Sequence, residues 1–424
     1  MTPATEEARR FATRLALLTA VAAGLRLLAL PGQPPLADDL SAAVSAVNFL
    51  ERAQVGPTMW QHPRLRDLLV YVALWACGPS KLGLVLPSLL IGVAGVPVIG
   101  LLARRFGGDR AGLLAALLLA IDPLHVDYSR QAVQEVYTTL FGAAGVLTAL
   151  RFLDGRRAGW AVASGLLFGL GLATKWSVAL PLAVTVLWTL WRAGSDRSAA
   201  APARRAQLAL LAVSLLLLPA AVYLATWAPW FRGGRSLVDW IDLQRAMATE
   251  AAHHAGFNAA DSEQPHRAAR WFLWPTAYAD AAFGPAGPVP IVAISNPLTW
   301  LPTLPAAAWL VREARRAGRP DLALLPALVA ATWLPFALAS RPIWLHSALA
   351  VLPFALAAVA VAAARLAAAA RDGSRRLLAY ALLATLAAAP LVLLAAGLAR
   401  DVPGLDDVVR SYRPASSEPA APSP

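Results

Sequence analysis

Charge is scarce in this chain. Charged residues make up 15% of its 424 positions, against roughly 25% in an ordinary soluble domain. No stretch is long and polar enough to fold as an independent soluble unit. Cysteine is nearly absent, and a single Cys77 excludes a disulfide framework and any multi-cysteine metal site. Lysine is reduced to Lys81 and Lys175 among 37 basic residues. The net charge of +12 comes from arginines clustered between apolar runs. That pattern points to membrane topology and anionic membrane lipids, with no nucleic acid partner. There is no glycine-rich phosphate loop and no convincing internal repeat. What is abundant is apolar sequence, 58% of residues, in runs of about 20 that recur along nearly the whole length. This is the signature of an all-α, polytopic membrane protein.

A positive-inside reading gives about eleven spans. Arg9, Arg10 and Arg14 resemble a signal-peptide flank, but Arg26 breaks the apolar run and no cleavage site follows. A retained first span, Phe11–Leu30, is therefore expected to run outward. The outer loop 31–81 contains an amphipathic surface helix over Asp38–Ala53, with Leu40, Val44, Val47 and Leu50 on one face. It also contains Leu65–Gly78, too short to cross comfortably and read as interfacial or re-entrant. Further spans follow at Leu82–Ala103, Ala111–His125, Ala132–Leu153, Gly159–Ala173, Ser177–Trp191 and Ala206–Trp227. After a second outer segment, 228–288, come Val289–Val311, Leu322–Ser340, Ile343–Ala364 and Leu377–Ala399. Residues 1–400 form one membrane domain and 401–424 an outer tail, whose Pro/Ser/Ala-rich end is expected to be disordered. The short-loop arginines fall on the inner side. All six histidines (62, 125, 253, 254, 266, 346) fall at or near the outer side.

The polar outliers therefore converge on the outer face. Asp38 and Asp39 follow a proline-rich turn and open a helix. One carboxylate can serve as cap and first-turn acid; two together also suit a general base beside an orienting partner. His62-Pro63 ends the same loop, and the proline can simply start the next helix. Glu135 lies one turn into an apolar span, which is costly without a partner or a cavity. Arg130 can snorkel to the headgroups, and Lys175 can anchor beside Trp176. Arg341 and Arg26 lie on the outer side, against the positive-inside bias, and arginine is a natural phosphate partner. Trp227, Trp230, Trp240, Trp271 and Trp274 read as an aromatic belt. Adjacent His253-His254 would not face one metal ion, and no metal site is expected.

Read in order, the outer features resemble the protein O-mannosyltransferase family, which has the GT-C fold, from about Arg26 to Phe354. Asp38-Asp39 resemble its Asp-Glu pair and His62-Pro63 the start of its His-Pro-Pro-Leu motif. Ser129-Arg130 with Glu135 is similar to its Ser-Arg…Asp signature, and Lys175-Trp176 to its Lys-Trp. Ser295-Asn296-Pro297 with Trp300 resembles its Gly-Asn-Pro…Trp. Arg341, His346 and Pro353-Phe354 are similar to its late Arg…His…Pro-Phe pattern. Asp39 stands for the usual Glu and Glu135 for the usual Asp. The His-Pro-Pro-Leu-Gly-Lys stretch has become His62-Pro63-Arg64-Leu65-Arg66-Asp67. Segment 228–288 is too short for the β-trefoil that eukaryotic members insert there.

The resemblance implies a polyprenyl-phosphate sugar donor, with mannose expected, and an acceptor hydroxyl on a protein, lipid or glycan. It implies Asp38 as general base, inversion at the anomeric carbon, and no cofactor, with a divalent metal left open. Arg130, Arg341 and Lys175 would hold the lipid phosphate, with Arg26 and His346 as further candidates. Asp39, His62 and Glu135 would orient the acceptor or the arginines. The heavy use of alanine and arginine suggests a bacterial plasma membrane with the site on its extracytoplasmic face. Two alternatives stay open: a transporter or flippase for a lipid-linked sugar, which polar residues near the midplane would favour, and an inactive paralogue, favoured by the altered His-Pro motif.

Overall fold

The computed structural model describes residues 3–28, 30, 35, 37–56, 58–196, 200–253, 281–284, 287–290, 297–338, 345–369 and 373. Its elements are α1 (Pro3–Leu27), α2 (Ala37–Arg52), α3 (Leu65–Cys77), α4 (Lys81–Ile121), α5 (Pro123–Tyr128), α6 (Glu135–Gly155), α7 (Ala158–Leu172), α8 (Ala179–Ser195), α9 (Ala201–Ala212), α10 (Leu218–Ala225), α11 (Ala228–Arg232), α12 (Leu237–His253), the antiparallel pair β1 (Ala281–Gly284) and β2 (Gly287–Pro290), α13 (Pro297–Arg316), α14 (Leu324–Trp333) and α15 (Leu352–Ala369). Among the described residues, six helical segments are long and apolar enough to cross a membrane: Lys81–Ile121, Glu135–Gly155, Trp176–Ser195, Ala201–Ala225, Pro320–Leu338 and Leu352–Ala369. The chain is a multi-pass integral membrane protein.

α4 is the hub, packing against α1, α3, α6 and α15. It is two expected spans joined by one turn. Gly108 takes φ 74°, a conformation that glycine adopts without a Cβ penalty. The chain folds back there so that Gly100 lies against Gly112 and Ala116. The expected boundaries hold closely for α3, α6, α7 and α8. α1 starts earlier than expected because Glu6 pairs with Arg9 and Arg10 and extends the helix to Pro3. The span expected over 289–311 is corrected: β2 takes Gly287–Pro290 and the helix begins at Pro297, a residue suited to a first turn. The tenth span enters as a 3-10 turn, Leu345–Ala350, before α15. The eleventh span and the tail lie outside the described residues.

The bundle has two chemically distinct ends. At one, Arg105 bonds Asp154 at 2.7 Å and approaches Asp321 at 3.9 Å, Arg319 pairs with Asp321, and Arg156 pairs with Asp196. These ion pairs join the α4 turn, the α6–α7 and α8–α9 connections and the start of the Pro320–Leu338 segment. The arginine clusters assigned to the inner side thus share one end of the bundle. Asp38, Asp39, Glu135, His62 and His346 gather at the other. On α2, Leu40 and Val44 are exposed while Asp39, Ala42, Ala46 and Phe49 are buried, so the apolar face noted in the sequence is presented outward, as for a helix lying at a lipid interface.

Small residues set the closest helix approach. A Cβ added at Gly165 on α7 would lie 1.9 Å from the Ser214 carbonyl oxygen, in the turn between α9 and α10. Backbone cannot yield as a flexible side chain does. Gly165→Ala is expected to destabilise the protein by about 1–3 kcal/mol, read as a lowered Tm in detergent. Gly194→Ala, with open space around it, serves as the control.

Candidate active site

Three ties assemble the end that carries Glu135. The Asp39 carboxylate accepts the Ala132 N–H at 2.7 Å and pairs with Lys81, fixing α2 to the α5–α6 connection and to the start of α4. The Leu65 N–H donates to the Ala173 carbonyl at 2.8 Å, laying the His62–Leu65 stretch over the tip beyond α7. Thr139 of α6 donates to the Leu349 carbonyl at 2.8 Å, bringing the segment before α15 over the start of α6. Residues far apart in sequence are thereby brought together around Glu135.

Glu135 is 4% exposed. Lys175 Nζ donates to its Oε1 at 2.6 Å, His346 Nε2 lies 3.6 Å from the same oxygen, and Gln134 Nε2 approaches it at 3.4 Å. The His346 ring also packs edge-on against Tyr128, with centroids 5.7 Å apart. His62 lies within electrostatic range of Lys175, Glu135, Arg66 and Arg64. Burial first, and then Lys175, holds its pKa well below the ordinary histidine value, so His62 is neutral at physiological pH.

Asp38 is exposed to solvent and lies within electrostatic range of His346, Glu135, Asp39 and Arg66. Burial raises its pKa; His346 opposes this, while the charges of Glu135 and Asp39 add to it and Arg66 opposes it. Because solvent still reaches the carboxylate, the upward push is moderated. A carboxylate that is open on one side and more basic than usual can accept a proton from a bound hydroxyl. Its neighbour Asp39 is fully buried and already committed to Lys81 and Ala132. The pair therefore divides into one exposed group and one anchor.

The arginines divide too. Arg26 is fully buried and donates to the Ala22, Ala120 and Leu119 carbonyls at 3.0, 3.1 and 3.4 Å, with His125 Nδ1 2.7 Å away. The guanidinium ties α1 to the end of α4. Arg130 is 5% exposed and donates to the Leu28 carbonyl at 2.7 Å. Arg341 lies outside the described residues. The aromatic belt is corrected. Trp227 and Trp230 are buried in a cluster with Phe49 and Met247, flanked by Trp240 and Tyr223. The Arg64 guanidinium lies 5.5 Å from the Trp227 ring centroid, so these rings serve a protein interior. Trp271 and Trp274 lie outside the described residues.

The sequence of the chain matches the family described as dolichyl-phosphate-mannose-protein mannosyltransferase over residues 58–223. A polyprenol-phosphate-mannose–protein mannosyltransferase of Mycolicibacterium smegmatis is 26% identical, covering 82% of this chain and 80% of its own. The fold superimposes on the Saccharomyces cerevisiae protein O-mannosyltransferase Pmt1–Pmt2 complex bound to the sugar donor with a TM-score of 0.78 at 11% identity, over 91% of this chain and 89% of that one. The chain is similar to protein O-mannosyltransferases and shares their fold. ArnT from Cupriavidus metallidurans bound to undecaprenyl phosphate shares the fold more distantly, with a TM-score of 0.56 at 15% identity, over 90% of this chain and 75% of that one.

The altered His-Pro motif is the feature that sequence reading undervalues. Arg64 and Arg66 are buried on either side of Asp67. Arg64 donates to one Asp67 oxygen at 2.8 Å and Arg66 to the other at 2.6 Å, while Ser45 of α2 donates to the first at 2.9 Å. Two arginines and an aspartate within four residues, beside an apolar helix, were the available signal. Among the described residues, no three His, Cys, Asp or Glu side chains are grouped to hold a metal ion.

Proposed function

We propose that this protein transfers a mannosyl group from polyprenyl-phosphate mannose to a protein hydroxyl, at the extracytoplasmic face of a bacterial plasma membrane. The observation that carries the reading is Asp38, exposed to solvent and within electrostatic range of Glu135 and His346. In this mechanism Asp38 takes the acceptor hydroxyl proton as the hydroxyl oxygen bonds to the anomeric carbon. The bond from that carbon to the phosphate oxygen breaks on the opposite face, so configuration inverts and polyprenyl phosphate leaves with the electron pair. The leaving phosphate needs cationic stabilisation more than a strong acid. Lys175, Arg130 and Arg341 are assigned to it, with Lys175 held at the site by Glu135. Asp39 orients Asp38 by fixing the start of α2, and His62 and His346 border the acceptor side.

The donor tail belongs in the bilayer and its sugar phosphate at the outer interface, which accounts for polar chemistry gathered at one end of the bundle. A transporter reading is not favoured, because the relatives are transferases and the charged residues lie at the two ends. The test uses membranes containing the full chain, supplied with radiolabelled polyprenyl-phosphate mannose, with label followed into peptide, lipid and glycan fractions. Label in the peptide fraction is the expected result. Label only in lipid or glycan would overturn the acceptor assignment, and transfer only from another polyprenyl-phosphate sugar would overturn the donor assignment.

A further inference from the structure

Gln134 sits at the N-cap of α6 but gives the helix no side-chain cap bond, although that is the position where a short polar side chain usually contributes most. Its side chain is 4% exposed and points into a chain of buried polar groups. Arg66 NH1 donates to Gln134 Oε1 at 2.8 Å, and Gln134 Nε2 faces Glu135 Oε1 at 3.4 Å. The orientation of the amide follows from chemistry alone. A guanidinium only donates, so the amide atom facing Arg66 must be the oxygen, and the NH2 is left facing Glu135, whose ionised carboxylate only accepts. Arg66 is itself fixed by two bonds to Asp67 Oδ1, at 3.0 and 2.6 Å. The line Asp67–Arg66–Gln134–Glu135 thus runs from the altered His-Pro stretch to the group facing Asp38.

We propose that Gln134 is a positioning residue for transfer: held by Arg66 through its carbonyl, it presents its amide to Glu135 and fixes that carboxylate between Lys175 and His346, within electrostatic reach of Asp38. The inference rests on the reading of Asp38 as the base. Packing alone gives no reason for the arrangement, since an apolar side chain of similar volume would fill the site without desolvating an amide. The charged and titratable groups around Asp38 are His346, Glu135, Asp39 and Arg66. Those around Glu135 are Lys175, His346 and His62. Gln134 is the uncharged member that sets their geometry.

The test is the pH dependence of transfer by the full chain in membranes, with polyprenyl-phosphate mannose, for the parent and for Gln134→Met, Gln134→Glu, Arg66→Lys and Asp38→Asn. Gln134→Met keeps volume and removes both hydrogen bonds. It is expected to lower kcat about tenfold with donor KM nearly unchanged, and to move the acid limb of the kcat profile to lower pH as the Glu135 charge loosens from its place. Gln134→Glu adds a second negative charge beside Glu135 and is expected to move the acid limb to higher pH, by roughly half a unit. Arg66→Lys, which cannot hold Asp67 and Gln134 together, is expected to follow Gln134→Met. A merely structural role would not give shifts of opposite sign at one position. Coincident acid limbs in all folded variants, with Asp38→Asn inactive, would overturn the positioning role and leave the base intact. An active Asp38→Asn with the parent's profile would overturn both. If Gln134→Met fails to accumulate, the signed shifts of Gln134→Glu and Arg66→Lys decide the matter.

Discussion

Asp38→Asn is expected to lower kcat for mannosyl transfer by about 10³-fold, within the range that a positioned general base contributes. Donor KM should stay within a few-fold, because the base acts on the acceptor hydroxyl. The protein should still accumulate and melt near the parent's temperature, because solvent reaches Asp38. The adjacent substitution behaves differently. Asp39→Asn removes the counter-charge of buried Lys81, and losing one partner of a buried ion pair costs about 3–5 kcal/mol. A large loss of rate without loss of Tm at Asp38, and a large loss of Tm at Asp39, would separate the two carboxylates. Equal transfer by the parent and Asp38→Asn would remove Asp38 as the base.

The sign of the pH effect follows from the base being active when ionised. Burial, with the charges of Glu135 and Asp39, raises the Asp38 pKa, while His346 and Arg66 oppose the shift. The rate therefore climbs with pH through a limb lying above the ordinary aspartate value of about 3.9, and falls away on its acid side. An acid limb at or below that value would mean that Glu135 and burial do not act on Asp38 as the geometry requires.

Much of this arrangement can be read from the chain, and the unread part has a common cause. Hydropathy located α3, α7 and α8 because each is bounded by charged or turn residues. The inner arginines are legible because the insertion rule weights short loops. Glu135 was marked as needing a partner, since a lone carboxylate at the start of an apolar helix is costly. That this partner is Lys175 is contained in the topology. α6 runs inward and α7 returns, so the ends of this hairpin, Glu135 and Lys175, must share the outer side. Arg26, a positive charge on the outer side, reads from sequence as a candidate ligand for an anion. In the folded chain it is spent on backbone carbonyls at the end of α4. Trp227 and Trp230 read as belt residues because composition cannot distinguish a ring facing lipid from one packed in the protein interior.

Asp67 carries a stability effect as large as that of Asp39. Its carboxylate is fully buried and accepts from Arg64, Arg66 and Ser45. Arg64 also donates to the Met59 and Trp60 carbonyls at 3.0 and 2.9 Å, so it holds the loop preceding α3. Asp67→Ala leaves two guanidiniums buried without their shared counter-charge. The expected loss is about 3–5 kcal/mol, enough to unfold much of a marginally stable protein, and is read as a collapse of folded yield or a sharply lowered Tm in detergent. Removing all three charges tests whether the cost lies in the unpaired cations. Arg64→Met, Arg66→Met and Asp67→Leu together should recover most of the lost stability, since a buried ionic group replaced by apolar residues of similar size is often neutral or better. The triple variant should nevertheless transfer slowly, because Gln134 then lacks the arginine that orients it. Stability without rate in that protein would mean that the altered His-Pro stretch serves the site through Arg66. Full rate would leave the stretch a purely structural brace between α2 and α3.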